Sequence, residues 1–101
     1  MEVVNNIEQW AVDRGLHKAD PSRQFLKLSE EVGELAASLA KGRDPRDSLG
    51  DVGVVLIILC RQLGWEFEHV LEVAYAEIKE RKGKMVNGVF IKEADLCQSQ
   101  Q

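Results

Sequence analysis

The chain has 101 residues, 45% hydrophobic and 30% charged, with a net charge of −4. That length sets a single-domain expectation over residues 1–101, and the acidic balance argues against a nucleic-acid polymer or an anionic membrane as the main partner. A small phosphorylated ligand stays open, because a bound divalent cation reverses the local field.

Four helical segments are predicted in chain order. The first, Val3 to Asp13, carries Val3, Ile7, Trp10 and Ala11 at helical spacing and ends at Gly15. Its opening, MEVVNNIEQW, lacks the basic and apolar regions of a signal peptide. The second helix starts at Asp20-Pro21, an N-cap followed by a first-turn proline, and ends at Lys41-Gly42. The third starts at Asp44-Pro45 and ends at Gly64. Its longest apolar run, Val54 to Cys60, is too short to span a bilayer. The fourth runs from Glu66 to Lys82, with Phe67, Val70, Leu71, Ala74 and Ile78 as its stripe and Gly83 as its stop. Beyond it, Met85 to Ile91 is β-prone and holds Asn87-Gly88, a strong hairpin signal. Residues 93–101, ending CQSQQ, read as a flexible tail. The two cysteines, Cys60 and Cys97, read as reduced thiols, and the expected location is the cytoplasm. Short connections make consecutive helices antiparallel neighbours, so the expected fold is all-α and four-helix bundle-like, with a short C-terminal hairpin or extended segment.

Acids collect where a core is expected. On a wheel of about 100° per residue, Phe25, Leu28, Val32, Leu35, Ala36 and Leu39 share one face, and Glu30, Glu31 and Glu34 share another with Lys27. In the third helix, Asp47 and Asp51 lie one turn apart, and Asp51 leads into a run apolar on every side. A charge there is penalised unless it is neutralised or faces a cation. Gly33, Gly50 and Gly53 inside the two helices suggest a close approach that brings Glu31 and Glu34 towards Asp51. An all-carboxylate set without His or Cys is a hard oxygen site, suited to Mg²⁺, or Mn²⁺, rather than zinc. The competing reading is a solvated acidic face.

The stretches KLSEEVGELA and DSLGDVGVVL resemble the MazG-like nucleoside triphosphate pyrophosphohydrolases of the all-α NTP pyrophosphatase superfamily. The family pattern, E-x-x-E followed by E-x-x-D, matches at Glu31, Glu34 and Asp51. It departs at Ser48, where a glutamate is expected and where Asp47, one residue earlier, is the candidate replacement. The resemblance extends from Trp10 to the GKMVNGVFIKE stretch. It implies hydrolysis of an NTP or dNTP to the monophosphate and pyrophosphate, and a MazG-type bundle completed as a homodimer or homotetramer.

In that frame Glu31, Glu34 and Asp51 bind metal, with Asp47 as a weaker or outer ligand. Glu30 or Glu34 takes the proton of the attacking water. Lys27 either contacts a phosphate or pairs with Glu31 at i, i+4. Lys79 and Lys82 either reach the substrate phosphates or complement a helix C-terminus, the role also assigned to Arg81 and Lys84. Trp10 either stacks on the nucleobase or, like Trp65, anchors core or interface. His17 and His69 read as surface or cap residues and Cys60 as core. From a different class, the acids form the face of a non-catalytic helical interaction module or of a nucleotide sensor.

Overall fold

Punctuation residues set the helix ends. The computed structural model describes residues 2–99, with side-chain surroundings through residue 96. It contains α1 (Glu2–Asp13), a 3-10 turn (Leu16–Lys18), α2 (Pro21–Ala40), α3 (Arg46–Gln62), α4 (Phe67–Ile78), β1 (Gly83–Val86), β2 (Val89–Lys92) and α5 (Glu93–Ser99). The chain is therefore mostly helical with one small antiparallel sheet. Asp20 caps α2 by accepting from the Ser22 backbone N–H at 2.9 Å, one residue ahead of Pro21. Asp44, one residue before the Pro45 N-cap of α3, accepts from the Arg46 backbone N–H at 3.0 Å, and its carboxylate also grips the Arg46 guanidinium at 2.7 Å. The turn after α2 passes through Gly42 at φ 67°, a left-handed position that glycine fills without strain.

The chain divides between Val70 and Leu71, inside α4, into two compact units. In the first unit α2 and α3 form the main helix pair, and α1 and the 3-10 turn pack on α3. Paired positions run in opposite order along the two helices. Gln24 meets Val55, Glu31 meets Asp51 and Ser38 meets Ser48, so α2 and α3 are antiparallel. Val4 and Ala11 of α1 are buried along with Val55, Ile57 and Ile58 of α3.

The inward stripe of α2 is rotated from the sequence expectation. It consists of Gln24, Leu28, Glu31, Leu35 and Ser38. Phe25, Val32 and Leu39 are 56%, 47% and 62% exposed. The broad apolar face is shared between α3 on one side and the outside on the other, because one helix seam covers only part of it. The three interior glycines also depart from expectation. A Cβ at Gly33, Gly50 or Gly53 would meet nothing within 4 Å, so no close approach within this chain requires them.

In the second unit β1 and β2 pair in the register Gly83↔Lys92 to Val86↔Val89, and α5 packs on both strands. Asn87 (φ 51°) and Gly88 (φ 80°) form the connecting turn with positive φ at both positions, the geometry of a tight type I′ hairpin. The fourth helix ends at Ile78, earlier than predicted, and Gly83 opens β1 instead of closing a helix. A side chain at Gly83 would run into the Ile91 carbonyl and the Phe90 ring, so strand pairing is what demands glycine there. The segment read as a tail is helical through Ser99. Gln100, Gln101 and the Cys97 side chain lie outside the described residues.

Candidate metal centre

Helix spacing and the antiparallel seam together build the acidic site. Glu31 and Glu34 project from one turn of α2, and Asp51 faces them from α3, five residues into that helix. One carboxylate oxygen from each lies within 4.8 Å of the other two. Glu31 is the sequestered member at 8% exposure, while Asp51 is half-buried. The sequence expectation placed that burden on Asp51. The structure moves it to Glu31, because Glu31 belongs to the stripe of α2 that packs inward.

Glu31 is only half answered. Its Oε1 lies 3.4 Å from Lys27 Nζ, the i, i+4 pair read from sequence. Its Oε2 is buried without a hydrogen-bond partner. Leaving a buried acceptor unmet costs about 1–3 kcal/mol. Crowding by Glu31, through charge and hydrogen bonding, pushes the Glu34 carboxyl above its ordinary value. Partial burial and Asp51 add to the rise, and Lys27 opposes it. These are the conditions under which a divalent cation is stabilising: clustered oxygens, one orphaned, with too little positive charge nearby.

A cavity of about 520 Å³ opens beside the cluster. Its walls include Glu31 and Asp51, the cations Arg23 and Lys27, and Trp10 from α1. Trp10 is 45% exposed, with the Arg14 guanidinium 4.2 Å from its ring centroid. Asp47 and Glu30 are exposed and stand outside the cluster. Ser48, at the position where the resemblance expects glutamate, shares a hydrogen bond of 3.3 Å with Ser38. Lys79 and Lys82 belong to the second unit and are exposed there, as are Lys84 and Trp65 on their own segments. His69 is exposed, whereas His17 is half-buried with an unpartnered Nδ1. Cys60 is half-buried, and burial, then Glu8, raises its thiol.

Sequence reasoning missed Arg23, Gln24 and Gln62. Arg23, Lys27 and Glu31 recur every four residues along α2. Gln24 and Gln62 interrupt otherwise apolar stripes with Leu28 and Ile58. Both signals were present but compete with ordinary surface patterning.

No family model matches the chain, and no solved structure matches it. It is similar to the "Uncharacterized 18.2 kDa protein in rep-hol intergenic region" of Haemophilus phage HP1 (strain HP1c1), with 47% identity over 64 residues. The match covers 60% of this chain and 39% of the phage protein. Among the described residues no single helix is long and apolar enough to cross a membrane.

Proposed function

We propose that this chain is a divalent-cation-dependent nucleoside triphosphate pyrophosphohydrolase that releases a monophosphate and pyrophosphate from NTPs or dNTPs. The observation that carries this reading is the buried, unpartnered Oε2 of Glu31, within a three-carboxylate cluster beside a nucleotide-sized cavity. The motif resemblance at Glu31, Glu34 and Asp51 supplies the reaction class.

Glu31, Glu34 and Asp51 would hold Mg²⁺ or Mn²⁺, which when bound supplies positive charge for the triphosphate and the departing pyrophosphate. Lys27 and Arg23 line the same cavity and add charge for the phosphates. Glu34, which belongs to the carboxylate cluster that Glu30 stands outside, is better placed than Glu30 to take a proton from the attacking water. Trp10 offers a ring edge or face to the base. Lys79 and Lys82 remain candidate phosphate contacts on motif resemblance alone. The exposed Phe25, Val32 and Leu39 recur every seven residues on α2, the spacing of helix pairing. They support assembly with a second copy, as a homodimer or as part of a homotetramer, in a MazG-type bundle.

The Ser48–Ser38 hydrogen bond favours a second reading. With serine in place of a fourth carboxylate, the same site suits a nucleotide sensor that binds triphosphates without cleaving them. A panel of NTPs and dNTPs with Mg²⁺, scored for monophosphate and pyrophosphate, separates the two. The enzyme reading expects both products, lost in Glu34→Gln and Asp51→Asn. Binding without products would support the sensor, and products at the full rate in both variants would refute the site.

A further inference from the structure

Lys27 faces two kinds of partner. Its Nζ lies 3.4 Å from Glu31 Oε1. Its side chain also lines the cavity together with Arg23, one turn nearer the start of α2. The first partner is a carboxylate. The second location, two cations on one cavity wall, suits an anion.

The hold on Glu31 is loose. A charge-assisted N–H···O contact closes to about 2.7–2.9 Å, shorter than this pair. The order along the helix is also the weaker one, with the cation N-terminal to the acid at i, i+4. Helical side chains tilt toward the N-terminus. Glu31 therefore leans toward Lys27, whereas Lys27 leans toward Arg23. The side chain of Lys27 is 56% exposed and that of Glu31 10%. Glu31 is the fixed partner and Lys27 the one with room to move.

The cluster decides where Lys27 is held. Glu31, Glu34 and Asp51 supply up to three negative charges, and the Lys27 charge acts on Glu34 as well as on Glu31. A divalent cation among these oxygens cancels two of the three and sets a like charge beside Nζ. The attraction that holds Lys27 falls and a repulsion is added.

Resting on the pyrophosphohydrolase reading, we propose that Lys27 is an exchange residue. It pairs with Glu31 in the metal-free chain, and once a cation is held it swings to Arg23 and grips the phosphates. The same lysine thus resists the cation and recruits the anion. Cation loading completes the anion subsite, and by linkage a bound anion tightens the cation to the same degree.

The test is calorimetric titration of the full chain, first with Mn²⁺ alone and then with inorganic pyrophosphate at saturating Mn²⁺. Lys27→Met should bind Mn²⁺ roughly threefold more tightly and pyrophosphate at least about tenfold more weakly. Opposite signs are the signature. A lysine that only supports the helix changes neither affinity, and one that only contacts phosphate changes the second alone. Arg23→Met should weaken pyrophosphate and leave Mn²⁺ affinity unchanged. If Lys27→Met self-associates, Lys27→Gln gives the same comparison. Mn²⁺ affinity unchanged or weakened without Lys27, pyrophosphate affinity unchanged without it, or equal tightening of Mn²⁺ in Arg23→Met would overturn the exchange. Any of these alongside intact pyrophosphate release from NTPs would leave the enzymatic reading standing. Opposite signs without such release would sink that reading and keep the exchange.

Discussion

Glu31 holds the Glu34 carboxyl protonated to higher pH than an isolated glutamate, although the two are neighbours on one helical turn and Glu34 is solvent-exposed. Two carboxylates at i, i+3 on a free helix repel by only a few tenths of a kcal/mol. Here Asp51 joins them from α3 and Lys27 answers only one oxygen of Glu31.

The pH dependence follows from that pair. A folded-state value above the unfolded one means that the folded chain binds more protons in the interval between the two. Stability of the metal-free protein should therefore fall as pH rises from the ordinary glutamate range through the raised Glu34 value. Melting temperatures across pH 3 to 8, on the order of one unit apart, would check this, with Glu34→Gln expected to remove that part of the slope. The same slope in the variant would assign it to other groups.

Glu31→Gln should stabilise the metal-free protein, since it removes the buried charge and relieves Glu34. Loss of the partly exposed Lys27 pair offsets this by at most about 0.5 kcal/mol. Chemical denaturation in a chelator would measure the difference. A destabilised variant would mean that the Lys27 pair outweighs the crowding.

The glycines separate two kinds of constraint. Gly33→Ala, in a helix interior with open space beside it, should stabilise by about 0.5–1 kcal/mol. Gly83→Ala should disrupt the hairpin, because the new methyl meets backbone that cannot move aside. Amide spectra of Asn87 and Gly88 would report the second effect, and thermal melts the first. Loss of assembly in Gly33→Ala would show that a second copy fills the space beside it.

Ser48→Glu adds a fourth acid one turn before Asp51 at the expense of the hydrogen bond to Ser38. Under the enzyme reading it should raise pyrophosphate release. A folded variant that binds Mn²⁺ more tightly yet releases no more pyrophosphate would show that the carboxylate count does not limit the reaction.

Much of this arrangement was legible in the residues. Asp20-Pro21, Gly42 and Asn87-Gly88 announce their turns through local chemistry that tertiary packing does not override. The convergence of Glu31, Glu34 and Asp51 follows from helical period and a short antiparallel connection. Which acid becomes buried was not legible. A helix with apolar residues around more than half its circumference leaves its rotation to the neighbours, and α2 turns Glu31 inward while Phe25, Val32 and Leu39 face out. The end of α4 was hidden for a similar reason, since Gly83 serves the hairpin and reads equally well as a helix stop. Gln24 and Gln62 gain meaning only once Val55 and Leu16 lie opposite them.

The most direct measurement is a calorimetric titration of the chain with Mn²⁺, alongside Glu31→Gln and Asp51→Asn. Saturable binding in the native chain, lost in both folded variants, is the predicted result. Absence of saturable binding up to millimolar Mn²⁺, on the order of 4 kcal/mol of affinity, or binding unchanged in both variants, would contradict a cation held by these three carboxylates.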